Sequence, residues 1–221
     1  MMSAEDRIER ARLLYERAVF DGDADALATA DCELDRVEAD LSLARGRVIH
    51  TRFLEQRDED PERAAEDPGE LALFERAAGL YRRLADGRGE AEALFWIGCL
   101  HQVVRRDDQT AVPILERSRE LAEQAGDRGT MSEALRHLGI AEHRAGRLGS
   151  AREQLEESTR LRREIGLMPG VAANLVGLAY IAAADDRRDD ALALLAEAAA
   201  IAEAAGAHRI TRQVDEARAH L

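Results

Sequence analysis

The fold is decided by residues 133–166, EALRHLGIAEHRAGRLGSAREQLEESTRLRREIG, which the chain repeats at residues 173–206 as ANLVGLAYIAAADDRRDDALALLAEAAAIAEAAG. An earlier copy ends at Gly126, and these two end at Gly166 and Gly206, so the period is 166 − 126 = 206 − 166 = 40 residues. A fixed period of about 20 to 50 residues is the signature of a solenoid built from stacked units. The sequence therefore predicts a repeat protein.

Small and apolar residues recur at fixed places within each copy. The copy at 127–166 carries Leu138-Gly139, Gly146, Ala151, Leu155 and Ser158. The copy before it carries Ile97-Gly98, Ala111, Leu115 and Ser118. That copy has one extra residue, which is expected to lie in the turn between its two helices. The copy after it carries Leu178-Ala179, Ala191, Leu195 and Ala198. Glycine and alanine at these places allow two helices to approach closely. Each copy is therefore predicted to be a pair of packed helices, helix A and helix B.

These spacings resemble the tetratricopeptide repeat, in which Leu-Gly on helix A is followed by Ala-x-x-x-Phe on helix B, here with Leu in place of Phe. The 40-residue period resembles the long variant found in kinesin light chains and in bacterial multidomain regulators. The resemblance covers residues 39–206. It implies an all-α, right-handed α-solenoid of antiparallel helix pairs that binds a protein or peptide in its concave groove.

Composition agrees with packed helices. The 221 residues are 46% hydrophobic but only 4% aromatic, and the chain has no alternating apolar pattern typical of a strand. The net charge of −13 repels phosphate backbones, so direct nucleic-acid binding is not expected. All 31 basic residues are arginine, and together with the alanine-rich text this favours a high-GC bacterial source.

The sequence favours a cytoplasmic protein without a membrane partner. The first residues have neither the basic segment nor the apolar run of a signal peptide, and no window resembles a membrane span. Cys32 and Cys99 are too few to form a disulfide framework, so both thiols are expected to be free.

We predict a single domain over residues 1–221. Its parts are N-terminal helices at 3–57, an acidic inserted loop at 58–69, helix B of a divergent first repeat at 70–86, repeats at 87–126, 127–166 and 167–206, and a capping helix at 207–221. In the first repeat, Leu43-Ala44 is predicted to stand for Leu138-Gly139. Pro113 and Pro169 are expected in the first turns of their helices. The expected inward face of the long N-terminal helix is Leu27, Leu34, Val37, Leu41, Ala44, Val48 and Phe53.

The resemblance implies that fixed positions of helix A line the groove. Carried over, they are Glu92, Phe95, Cys99, Gln102 and Val103, then Glu133, Arg136, Ile140, His143 and Arg144, then Ala173, Val176, Tyr180, Ala183 and Ala184. Our candidate partner-binding site takes nine of them: Phe95, Cys99, Gln102, Arg136, Ile140, His143, Arg144, Val176 and Tyr180. The central arginines suit a peptide with acidic and hydrophobic residues. Charge reversal at Arg136 and Arg144 is expected to abolish partner binding without unfolding the chain.

Catalysis has no support in the sequence. The chain contains no nucleophile elbow, phosphate-binding loop or dinucleotide fingerprint, and no two histidines have the i, i+4 spacing of helical metal ligands. No cofactor, metal or enzyme activity is predicted. Trp96 is expected to pack between repeats.

The sequence leaves the kind of partner open. A regulatory protein- or peptide-binding scaffold is the first hypothesis. The first alternative is a sensor of small molecules or short peptides, or an accessory of a biosynthetic pathway, with a pocket around Phe95, Arg136, His143 and Tyr180. The second is a homo-oligomer, a homodimer in the simplest case, that associates through Ala196, Ala199 and Ala200.

Overall fold

The structure is a computed structural model that describes residues 2–220 and contains only helices and turns over that range. The helices are α1 (Ala4–Phe20), α2 (Ala26–Glu59), α3 (Pro68–Arg83), α4 (Gly87–Cys99), α5 (Asp108–Gln124), α6 (Arg128–Arg144), α7 (Leu148–Glu164), α8 (Met168–Ala184), α9 (Arg188–Ala204) and α10 (His208–His220). A π-helical segment, Leu100–Val104, directly follows α4. The predicted all-α class is confirmed; Leu221, predicted to end the capping helix, lies outside the described residues.

The chain divides into two compact units, Met1–Asp107 and Asp108–Leu221, called unit 1 and unit 2. In unit 1, α2 packs against α1 and α3, and α3 packs against α4. In unit 2, each helix from α5 to α9 packs against the next, and α10 packs against both α9 and α8. Neighbours in sequence are thus neighbours in space, as a helical solenoid requires.

Left-handed residues set the rhythm of the helices. Positive φ angles occur at Ala85, Arg106, Gly126, Gly146, Gly166, Asp186 and Gly206. From Arg106 onward these residues are 20 apart, and each is the middle residue of a three-residue turn between helices. A left-handed residue at this place ends a helix and reverses the chain direction. The 40-residue period is therefore two half-units, each a helix and one turn.

Ala85→Gly is expected to raise the free energy of unfolding by about 0.5–1 kcal/mol. Ala85 has φ +52°, where a Cβ atom is unfavourable, whereas glycine adopts that backbone at lower cost. The reverse change, Gly146→Ala at φ +77°, should lower the free energy by a similar amount. Urea titration of both variants measures the difference; equal midpoints for the two would contradict the argument.

The extra residue of the second repeat lies in helix A, and its expected place in the turn is wrong. Gly98 and Ala111 are 111 − 98 = 13 residues apart, against 151 − 139 = 12 in the next copy. The backbone N–H of Arg105 donates to the carbonyl of Leu100 at 3.1 Å, an i→i−5 bond that closes a π-helical turn. The turn that follows keeps its three residues, so the π-helical turn absorbs the insertion.

Two boundaries differ from expectation. Helix α5 begins at Asp108, so Pro113 lies in its second turn, where its nitrogen has no N–H for the carbonyl four residues earlier. Pro169 lies in the first turn of α8, as predicted. Helices α2 and α3 extend into the predicted loop, which leaves residues 60–67 between them. The Asp67 carboxylate caps α3 by accepting a hydrogen bond from the Gly69 N–H at 2.8 Å.

The inward face predicted for α2 is largely wrong. Leu27, Leu34, Leu41 and Val48 are all 45–52% exposed, and of the predicted set only Phe53 is buried. The buried side chains are mostly small or polar: Ala26, Ala30, Glu33, Ala39, Ser42, Leu43, His50 and Phe53. The core of α1 packs on the first two of these. Small residues are buried because they allow neighbouring helices to approach α2 closely.

The register of the first repeat is also corrected. Ala44 is exposed, whereas Gly46 is buried against Phe74. In unit 2, Gly139 packs against the side chain of Leu155, as Gly46 packs against Phe74 in unit 1. Gly46, two residues beyond Ala44, is therefore the counterpart of Gly139.

Trp96 packs among side chains of three helices in unit 1. Its ring stacks on Phe74 with centroids 5.8 Å apart and contacts His50 edge-on at 5.4 Å. The Arg47 guanidinium lies 5.6 Å from the centroid of the same ring. Since α2, α3 and α4 meet here, the predicted packing role of Trp96 is confirmed.

Candidate functional site

Unit 2 contains a cleft of about 260 Å³ formed by residues of four helices. Helices α6, α8 and α10 contribute most of its wall, and α7 contributes one residue. The lining residues are Arg136, Ile140, His143, Leu155, Ala173, Val176, Gly177, Tyr180, Ile181, Gln213 and Glu216.

The floor of the cleft is apolar. Leu155 and Ile181 belong to the core of unit 2 and are 1% exposed, and Val176 is 6% exposed. A Cβ atom on Gly177 would lie 3.0 Å from Leu155 Cδ1, so the absence of a side chain at Gly177 leaves room above this floor. An apolar side chain placed here would lose its contact with water, which is the main source of binding free energy in such clefts.

The rim carries polar groups that are available to a ligand. Tyr180 is 36% exposed. Within the described residues 2–220, the side chains of His143, Tyr180 and Gln213 have no hydrogen-bond partner. A phenol, an imidazole and an amide can both donate and accept hydrogen bonds. The cleft therefore combines an apolar floor with uncommitted hydrogen-bonding groups.

Arg136 lines the cleft but is committed to the fold. Its Nη1 donates to the carbonyl of Ala173 at 2.9 Å and to Oδ1 of Asn174 at 3.0 Å. These bonds tie α6 to α8. Charge reversal at Arg136 would break them, so such a variant cannot separate binding from folding, contrary to our expectation from the sequence.

Arg144 lies outside the cleft. Its side chain is 50% exposed, and its Nη1 lies 3.2 Å from a carboxylate oxygen of Asp108. Because Arg136 is hydrogen-bonded within the fold and Arg144 does not line the cleft, the cleft presents no free arginine to an acidic ligand.

A buried polar network lies beside the cleft. Asn174 Nδ2 donates to Ser158 Oγ at 2.8 Å, and Ser158 Oγ donates to the carbonyl of Ser132 at 2.6 Å. Arg162, only 2% exposed, donates through Nη1 to the carbonyl of Gly170 at 2.9 Å and to Asn174 at 3.3 Å. Because Arg136 bonds to the same amide oxygen, the network fixes α6, α7 and α8 around the cleft.

The remaining predicted residues lie in unit 1 and are buried. Phe95 is 5% exposed, Cys99 2% and Gln102 1%. Phe95 makes an edge-on contact with Trp96 at 5.2 Å between centroids. None of these three side chains lines the cleft of unit 2, so the candidate site is reduced to the predicted residues that line it together: Arg136, Ile140, His143, Val176 and Tyr180.

Sequence reasoning missed the contribution of α10. Gln213 and Glu216 line the cleft, although the sequence predicted this helix only as a cap. Val214 and Ala217 are buried, so each lining residue immediately precedes a core residue along α10. The apolar stripe of α10 was therefore a usable signal for these positions.

Two other features are absent from the part of the chain that the structure describes. Among residues 2–220, no group of three or more acidic, histidine or cysteine side chains could hold a metal ion. Over the same range, no helix is both long and apolar enough to span a bilayer.

Comparisons with known proteins agree with this architecture. A family model described as tetratricopeptide repeat matches residues 99–164. The crystal structure of BtubC (BKLC) from P. vanneervenii is similar, with 15% sequence identity, 93% of each chain covered and a TM-score of 0.52. A Podosopora anserina putative kinesin light chain with nearly identical TPR-like repeats has 16% identity and a TM-score of 0.51, covering 80% of this chain and 97% of its own. None of the curated protein sequences matches this one. At such identities the two structures show a shared fold alone.

Proposed function

Because this chain is a tetratricopeptide-repeat protein, we propose that it binds a protein or peptide partner and that the cleft of unit 2 holds one apolar side chain of that partner. Tetratricopeptide repeats generally serve as scaffolds for protein–protein interaction. The observation that carries the proposal is the cleft itself, an apolar floor beside three uncommitted hydrogen-bonding side chains.

The size of the cleft favours a peptide side chain over a whole small molecule. Small-molecule pockets usually measure about 300–1,000 Å³. The cleft, at about 260 Å³, is smaller. Such a space accommodates a single large apolar side chain, while the peptide groups on either side of it reach the rim.

The rim suits a peptide backbone. The Tyr180 hydroxyl and the Gln213 amide can exchange hydrogen bonds with backbone N–H and C=O groups. Since the two nearby arginines are held by partners within unit 2, we propose a bulky apolar anchor without the acidic residues first expected. A non-catalytic, regulatory role in a bacterial cytoplasm is part of this proposal.

Tyr180→Ala is expected to weaken peptide binding at least tenfold. Tyrosines at the centre of an interface often contribute more than 1 kcal/mol, and a tenfold loss corresponds to about 1.4 kcal/mol. The probes are peptides selected on the wild-type protein from a random phage-displayed library, and fluorescence polarisation measures their dissociation constants. Tyr15→Ala, at a 57% exposed tyrosine of unit 1, is the matched control and should leave binding unchanged.

Two results would contradict the proposal. One is a library that yields no binding peptide. The other is a set of peptides that bind wild type and Tyr180→Ala equally well. A metabolite that raises the melting temperature of wild type but not of Tyr180→Ala would support the small-molecule sensor instead, since a ligand stabilises the state to which it binds.

A further inference from the structure

Helix α2 exposes a regular row of apolar side chains, which we call the leucine row: Leu27, Leu34, Leu41 and Val48. They are 51%, 45%, 51% and 52% exposed. Successive members are seven residues apart. Single exposed apolar residues are ordinary on protein surfaces, but a row that extends over three heptads is unusual.

A seven-residue spacing is the spacing of a helix–helix seam. On a straight α-helix a heptad repeat drifts by only about 20° per step, so the four side chains share one face. At a rise of 1.5 Å per residue, the row is about 32 Å long. In coiled coils the same spacing keeps apolar residues against a partner helix that winds around the first.

Charges beside the leucine row differ between its two ends. Each member of the row is followed, four positions later, by one charged residue: Asp31, Glu38, Arg45 and Arg52. Glu38 pairs with Arg76 at 2.8 Å. In the described part of the chain, Asp31, Arg45 and Arg52 have no ion-pair partner. One end of the row is thus acidic, and the other end is basic.

The basic end also offers a groove. A groove of about 440 Å³ between α2 and α3 is lined by Ala44, Arg45, Val48, Ile49, Arg52 and Leu73. Four of these residues are apolar and two are unpaired arginines. Such a groove fits a helix that presents leucines next to acidic side chains, which describes the acidic end of the leucine row itself.

We propose that two copies of this chain associate through their leucine rows, with the two α2 helices antiparallel. In this orientation the Asp31 end of one copy faces the Arg52 end of the other, twice by symmetry. A parallel pair would place like charges together, which is unfavourable. The arrangement is a closed two-fold dimer, and it is independent of the peptide-binding cleft.

Sedimentation equilibrium of the full chain over a range of concentrations tests the dimer. We expect a species of twice 24.4 kDa that dissociates on dilution. Leu34→Glu combined with Leu41→Glu should leave only monomer, because each charge would be buried in the seam. Leu192→Glu, at a 41% exposed leucine of α9, is the control and should dimerise like wild type.

The charged ends give a second, milder variant. Arg45→Glu combined with Arg52→Glu should raise the dimer dissociation constant at least tenfold, and added salt should weaken the wild-type dimer. Both residues lack partners within the described chain, so the fold, checked by circular dichroism, should be kept. A wild type that stays monomeric at every concentration overturns the proposal, as does a dimer that neither double variant weakens.

Cross-linking tests the orientation. In the antiparallel pair Leu34 of one copy lies opposite Leu41 of the other, so Asp31 lies next to Arg45. Asp31→Cys and Arg45→Cys are therefore made on separate chains of different mass, both with Cys32→Ser. On mild oxidation of a mixture, an antiparallel dimer joins unlike chains by a disulfide. Disulfides only between like chains would indicate a parallel dimer and overturn the proposal.

Discussion

Arg162→Met is expected to lower the free energy of unfolding of unit 2 by about 1–3 kcal/mol, because it leaves buried hydrogen-bond acceptors without a donor. The guanidinium lies 2.5 Å from a carboxylate oxygen of Glu133 and donates to the carbonyl of Gly170 at 2.9 Å. Burial lowers the pKa of this guanidinium, whereas the charge of Glu133 raises it. Methionine cannot replace these bonds, so the Gly170 carbonyl and the Asn174 amide oxygen would lose a donor, and Glu133 would lose its counter-charge.

Arg160→Met is the matched control, since it makes the same change two residues away on α7. The Arg160 side chain is 54% exposed and pairs with Glu157 and Glu164, also on the surface. Exposed ion pairs contribute about 0–1 kcal/mol, so this variant should resemble wild type. Urea unfolding followed by circular dichroism compares the two. Hydrogen exchange should show lost protection in α6, α7 and α8 of Arg162→Met alone, and equal midpoints for both variants would refute the argument.

The helical framework was predictable because the determining residues are local. From Arg106 to Gly206, a left-handed residue every 20 positions separates successive helices, and four of these six residues are glycines visible in the sequence. The Leu-Gly motif then identifies helix A and the Ala-x-x-x-Leu motif identifies helix B, so the two motifs together show which helices form a pair. The π-helical turn is the exception, since an extra residue shows in the spacing but its location depends on which backbone bonds form.

The buried network was not predictable from local sequence. Helix α7 contains the run Arg160, Leu161, Arg162, Arg163, in which all three arginines lie among acidic neighbours. Only packing selects Arg162, which is 2% exposed, whereas the side chains of the other two are 54% and 50% exposed. The same limit applies to α2, where large apolar residues indicated an inward face but the helix buries smaller ones.

The candidate site was predicted in part. Of the positions carried over from the repeat pattern, Ile140, His143, Val176 and Tyr180 line one cleft. That pattern gives the direction of each side chain on helix A. It does not give the hydrogen bonds that commit Arg136 and Arg144, nor the approach of α10, because these depend on side chains outside the repeat motif.

Gly46→Ala is expected to destabilise unit 1 by about 2 kcal/mol, although alanine normally favours a helix over glycine by about 1 kcal/mol. A Cβ atom on Gly46 would lie 2.4 Å from Cε1 of Phe74. Phe74 is fully buried, and its ring stacks on Trp96, so it has no space into which to move. Overpacking should therefore outweigh helix propensity. Fluorescence of Trp96, the only tryptophan, follows unfolding of this unit in urea.

A second substitution tests whether Gly46 and Phe74 form the same contact as Gly139 and Leu155. Phe74→Leu places at this site the residue that unit 2 already uses, and it removes the ring that an alanine at Gly46 would strike. The double variant should be more stable than the sum of the two single changes predicts, by at least about 1 kcal/mol. Gly79→Ala, at a helical glycine where an added Cβ atom would meet no other atom within 4 Å, should instead stabilise the chain by up to about 1 kcal/mol. Additive effects at Gly46 and Phe74 would show that the two residues do not limit each other, and the corrected register of the first repeat would then lose its physical basis.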